Sequence, residues 1–96
     1  MTFNADDKIK AQVLDRLINH LQNRTDVQNI DLMNLANFCR NCLSKWYVQE
    51  AEKNGETVDL DDARTFVYGM TYDEWKQNHQ LEATPEQIET FNNRKQ

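Results

Sequence analysis

The sequence predicts an all-α protein, and three observations lead to that class. The 96 residues include two Gly and one Pro, so few positions favour tight turns or interrupt a helix. Apolar residues recur at spacings of three and four, without sustained alternation of period two. Asp and Thr residues stand where helix N-caps are expected. At this length we expect a single domain over residues 1–96.

The first helix is predicted from about Asp6 to Asn23. Its apolar residues cover roughly half of the helix circumference, which suits a helix lying on a core. His20 falls at the edge of that face. The apolar residues are Ile9, Val13, Leu14, Leu17, Ile18 and Leu21.

The next segment is predicted as one long central helix, Leu32–Lys53, with Asp31 as its N-cap and Asn54-Gly55 as its stop signal. Its apolar residues fill roughly 220° of the circumference. So much apolar surface must be covered on several sides. We therefore expect the other helices to pack around it, and a second copy of the chain to complete a homodimer.

Three short helices complete the prediction of about five. Asp59 caps the helix Leu60–Tyr68, Thr71 opens the next with a capping box, and Thr84 precedes Pro85 at the start of the last.

Charge and hydropathy exclude two classes of partner. The net charge is −5 and the basic residues are dispersed, which argues against nucleic acid. No apolar run approaches the ~18 residues of a membrane span. The start of the chain, Met1–Asp7, shows neither a basic nor an apolar leader, so we expect a cytoplasmic protein.

Two stretches, Asp31–Tyr47 with its two cysteines and Trp-Tyr pair, and Val67–Lys76, resemble a small bacterial family of uncharacterised proteins, the domain of unknown function 1244. The resemblance extends over about residues 14–84. It implies a short, cytoplasmic, helical and dimeric bacterial protein, and it implies no activity.

Cys39 and Cys42 are the first candidates for chemistry, and three interpretations compete. Free cysteines are among the most buried residues, so packing in the core is the favoured one. A structural zinc site needs four ligands, and His20, His79 or the same pair of a second subunit would complete the set. A redox pair needs its first cysteine at a helix N-terminus, whereas Cys39 is predicted about two turns inside the central helix.

Arg40 and an aromatic stripe are the other candidate binding residues. A guanidinium near a buried seam needs a carboxylate or carbonyl partner, and Asp59, Asp62 and Glu74 are the candidate carboxylates. Such an ion pair is favoured over an anion clamp.

Tyr72, Trp75 and His79 lie on one face of their helix, where they form either part of the core, the favoured interpretation, or the wall of a ligand pocket.

The function these observations favour is non-catalytic, with self-association or other protein–protein contacts and no cofactor. No phosphate loop, zinc-protease or hydrolase motif points to an enzyme. The alternative is a metal-binding (structural zinc) or thiol-redox protein that uses Cys39 and Cys42. A weaker one is an enzyme with a pocket of Tyr72, Trp75, His79 and Arg40.

Overall fold

The computed structural model describes residues 3–94, and these form six α-helices and no strand. The all-α class is confirmed for this part of the chain. None of the six helices is both long and apolar enough to cross a membrane. Their bounds are α1 Asp7–Gln22, α2 Asn29–Ala36, α3 Arg40–Lys53, α4 Leu60–Tyr68, α5 Tyr72–His79 and α6 Pro85–Asn93.

The helix starts predicted from capping residues are confirmed for the last three helices. The side chain of Asp59 accepts a hydrogen bond from the backbone N–H of Asp61 at the start of α4. Thr71 and Thr84 do the same for α5 and α6, each accepting from the backbone N–H three residues later. These bonds satisfy donors that have no partner within the helix.

The prediction of one central helix over Leu32–Lys53 is wrong, because the chain breaks into α2 and α3. Asn37 ends α2 in the left-handed conformation, with φ of 59°, and its N–H donates to the carbonyl of Met33. Asparagine adopts this conformation more readily than most residues. Cys39 is extended and becomes the N-cap of α3. The break turns the chain, so that the first turn of α3 faces the last turn of α2.

The start of α2 also differs from the prediction, because Asp31 is the third residue of the helix and not its N-cap. The Asp31 carboxylate accepts from the backbone N–H of Gln28, which is the N-cap. The buried Gln28 side chain in turn donates to the carbonyl of His79 and accepts from the N–H of Leu81. This side chain therefore ties the start of α2 to the end of α5.

The core consists of two clusters that share one residue. Leu21 and Leu32 pack with Cys39 in the first, whereas Val67, Tyr68 and Trp75 form the second. Leu43 of α3 contacts both clusters. The helix α3 is thus central, as expected of this part of the chain, although it is shorter than predicted.

The chain is too open for a compact monomer of its size. Its radius of gyration is 15.3 Å, whereas a compact domain of this length has about 12.5 Å. Only two residues of α1, Ile18 and Leu21, are buried, and both lie in its last turns. The first half of α1 therefore extends from the body of the molecule with its apolar residues exposed.

Gly69 and Gly55 allow a matched test of the contact between the Gln22 side chain and the end of α4. Both have positive φ, of 74° and 77°, but a methyl group on Gly69 would lie 2.8 Å from Cδ of Gln22, whereas the space beside Gly55 is open. The Gln22 amide donates to the carbonyls of Phe66 and Val67 at the end of α4.

We expect Gly55→Ala to lower the free energy of unfolding by about 1 kcal/mol, through backbone strain alone. Gly69→Ala should cost about 1 kcal/mol more, because the Gln22 amide must also move. Urea denaturation of both variants measures the difference. Equal costs would show that the Gln22 contact contributes nothing to stability.

Candidate functional site

The guanidinium of Arg40, which is 1% exposed, lies at the corner between α2 and α3. Its Nη1 donates to the carbonyl of Val27 at 2.8 Å and to Oδ1 of Asn29 at 3.1 Å. Its Nη2 donates to the carbonyls of Leu21 and Arg24 at 3.3 and 2.9 Å. These last acceptors belong to the C-terminus of α1 and the turn after it, where carbonyls lack helical partners and carry partial negative charge.

The expectation of carbonyl partners for Arg40 is confirmed, because three of the four hydrogen bonds go to backbone carbonyls and the fourth goes to an amide oxygen. The alternative pairing with Asp59, Asp62 or Glu74 within the chain is wrong. The ring of Trp75 covers the guanidinium, with its centroid 4.9 Å from Cζ. Burial lowers the pKa of Arg40 from its usual range. The oxygen dipoles and the aromatic ring replace a counter-ion.

Tyr68 extends this polar centre towards α4. Its hydroxyl donates to Oδ1 of Asn41 at 2.9 Å and accepts from Nδ2 of Asn29 at 3.0 Å. Burial raises the pKa of Tyr68 well above its ordinary value, so the hydroxyl stays protonated. Asn29 thus bonds both Arg40 and Tyr68, and it orients both side chains.

The two cysteines lie together at the start of α3, with their Sγ atoms 3.7 Å apart. Cys39 is the N-cap, so the prediction that it lies two turns inside a helix is wrong, and the position required of a redox cysteine is met. The electrostatics differ from those of a reactive thiol. Burial raises the pKa of the Cys39 thiol, although the backbone N–H groups of Cys42 and Asn41 partly oppose this.

A third sulfur atom, which was not expected from the sequence, lies next to this pair. Sδ of Met33, in the last turn of α2, lies 4.0 Å from Sγ of Cys42. Met33, Cys42 and Cys39 belong to one apolar cluster. In a continuous helix Met33 would lie nine residues, or about 13.5 Å along the axis, from Cys42. The only sequence signal for this contact was Asn37 as a helix terminator.

The structure places the two histidines apart from the cysteines. His20 is exposed near the end of α1, whereas the ring of His79 lies 6.1 Å from that of Trp75 in α5. Within residues 3–94, no three His, Cys, Asp or Glu side chains come together in a way that could hold a metal ion. The chain itself thus brings together two of the four ligands of the predicted zinc site.

The aromatic stripe is divided between core and surface. Trp75 is 1% exposed and packs edge-on against Tyr68 at 5.3 Å. Tyr72 packs against the same tyrosine and is half-buried. Together Tyr72 and Trp75 line one side of a cleft of about 310 Å³, whose other walls include the polar residues Gln28 and Asn41. Trp75 is therefore a core residue that also covers Arg40, as the favoured interpretation expected.

A second candidate is an apolar surface formed by α1, α3 and α4, which we term the apolar face. Val13 is 62% exposed and Trp46 is 50% exposed. A groove of about 220 Å³ runs along it, lined by apolar side chains and by Glu50. The apolar face combines the exposed walls of this groove with the exposed apolar residues of α1; Val13 and Leu17 also border a separate hollow with Arg16 and His20. The exposed groove walls are Leu14, Trp46, Tyr47 and Phe66, and the further exposed residues of α1 are Ile9, Val13 and Leu17.

Comparison with known proteins gives a family and no activity. A family described as a protein of unknown function (DUF1244) matches residues 27–93, which is more than half of the chain. The matched region contains Arg40, the three sulfur atoms and most of the core, whereas Leu21 and Arg24, whose carbonyls bind Arg40, precede it. No curated protein matches the chain.

The role of Arg40 can be tested by the conservative change Arg40→Lys. A lysine keeps the charge but has one nitrogen atom, whereas the two terminal nitrogens of Arg40 bond two oxygens each. At least one buried carbonyl therefore loses its donor. We expect the free energy of unfolding to fall by about 3 kcal/mol in chemical denaturation. The control is Arg24→Lys, whose side chain is half-exposed in an ion pair with Asp26. It should change stability by no more than about 0.5 kcal/mol. Similar values for the two variants would contradict this role.

Proposed function

We propose that this chain, which belongs to the DUF1244 family of proteins of unknown function, acts through protein–protein contacts and first of all as a homodimer. The observation that carries the proposal is the area of the single chain. It exposes 7372 Å², whereas a compact monomer of 11.4 kDa exposes about 5,800 Å². The excess is roughly 1,600 Å² per chain. Obligate homodimers bury about 1,000–2,500 Å² per subunit, so one interface would account for it.

The chemistry of the apolar face supports an interface. Trp46, Tyr47 and Phe66 are aromatic, and aromatic residues are enriched at the centres of interfaces. Few polar atoms line the groove, so a partner that covers it needs to satisfy few hydrogen bonds. A polar ligand in the groove would lose its hydrogen bonds to water and find few polar groups to replace them.

A second copy fits this surface because the chain carries both halves of the contact. The extended first half of α1 presents an apolar ridge, with Ile9 and Val13 about 60% exposed. The groove takes its α1 wall from Leu14 and Ile18 of the same helix. A two-fold axis along this edge would place the ridge of each copy against the groove of the other. Such an isologous contact uses one surface twice and closes after two subunits.

The proposal is tested by Val13→Glu, with Gln12→Glu as a matched control. Both residues are exposed, adjacent in α1 and changed by one negative charge, but only Val13 lies on the apolar face. We expect the wild type to have twice the 11.4 kDa chain mass in sedimentation equilibrium at micromolar concentration. Val13→Glu should raise the dimer dissociation constant at least about tenfold, because a charge would be buried without a partner.

Gln12→Glu should leave the dimer intact, and circular dichroism should show a folded chain for both variants. A wild-type protein that sediments as a monomer would refute the proposal. So would a Val13→Glu variant that associates as tightly as Gln12→Glu.

A further inference from the structure

We propose that Cys39, Cys42 and Met33 form a binding site for a soft monovalent metal ion, and that Cu(I) is the ion that suits these donors. The site is made by the break in the predicted central helix, which brings the end of α2 onto the start of α3. Sγ of Cys42 lies 3.7 Å from Sγ of Cys39 and 4.0 Å from Sδ of Met33. Three sulfur atoms that surround one ion at a metal–sulfur distance of about 2.3 Å stand about 4 Å apart. The two separations made by Sγ of Cys42 match this value.

The types of donor select the ion. Thiolate and thioether sulfurs are soft ligands that favour Cu(I), whereas carboxylates and carbonyls favour Mg²⁺ or Ca²⁺. Among the described residues, no His, Asp or Glu joins the two cysteines in a group of three. A structural zinc site takes four ligands, so three sulfurs from one chain fit a three-coordinate Cu(I) ion better.

The charge of the site also fits a monovalent ion. On binding, each thiol releases its proton to solvent and its sulfur forms a bond with the ion, without any change of oxidation state. Two thiolates and Cu(I) carry one net negative charge. The cationic Arg40, which directly follows Cys39 in the chain, offsets this charge. The N-terminus of α3, capped by Cys39, adds a favourable dipole.

The three ligands differ in how deeply they are buried. Met33 and Cys42 are half-buried. Cys39, at 8% exposure, lies deeper and packs against Leu21 and Leu32. The apolar surroundings would limit the access of water to a bound ion.

The test is a competition titration of the full chain with Cu(I) and the colorimetric chelator bicinchoninate, under anaerobic conditions with a phosphine reductant. We expect the wild type to retain one Cu(I) per chain against the chelator, and Cys39→Ser/Cys42→Ser to retain none. Met33→Leu keeps the size of the side chain and should weaken binding at least about tenfold, the lower end of the loss seen when even an outer-shell partner is removed. The matched control is Met70→Leu, which changes a half-buried methionine of the second cluster and should leave binding unchanged.

The site is overturned if the wild type yields its copper as readily as the double cysteine variant. Equal affinities of Met33→Leu and Met70→Leu would exclude the methionine as a ligand. X-ray absorption of the copper complex should show three sulfur neighbours at about 2.3 Å, and two neighbours would contradict the proposal. Tighter retention of Zn²⁺ than of Cu(I), measured with a zinc indicator, would overturn the choice of ion. The readout is the metal, so the result is independent of the association state tested above.

Discussion

The buried guanidinium of Arg40 is the interaction on which the rest of the fold depends. Four oxygens from α1, from the turn that follows it and from the start of α2 converge on one side chain of α3. The cation thus adds a polar link between segments that also share the apolar contact of Leu21 with Leu32. Trp75 of α5 then covers the planar group and brings a fifth element to the same point. A buried charge is costly unless it is fully bonded, so this centre admits few alternative arrangements.

The same centre explains why the chain breaks where it does. Arg40 is the first residue of α3, and its backbone N–H also faces Oδ1 of Asn29. If α2 continued straight into α3, the guanidinium could not reach the C-terminus of α1. The left-handed Asn37 and the extended Cys39 therefore provide the change of chain direction that places Arg40 against the end of α1. The contact among the sulfur atoms is a consequence of this corner.

The features that were predicted correctly from the sequence are those that depend on residues close together in the chain. The helical class and the capping residues Asp59, Thr71 and Thr84 were predicted because each cap acts within one turn of its own helix. The break at Asn37 was missed because the apolar spacing continues through it. A carbonyl partner for Arg40 was expected, but which carbonyls bind it was missed because backbone groups leave no mark in the sequence. The part played by Met33 could be seen only once the corner was known.

The extended first half of α1 also affects how firmly this helix is formed. Isolated helices shorter than about 12–15 residues are marginal in water. The buried residues of α1, Ile18 and Leu21, and the hydrogen bonds of Gln22 to α4 all lie in its last turns. In a free chain its first turns would fray, and their amide hydrogens would exchange quickly with solvent. If a second molecule covers α1, the fraction of chains in which these turns are helical rises with the concentration of that molecule. The rate of amide hydrogen exchange in the N-terminal turns of α1 would therefore report whether the chain is free or bound to a partner.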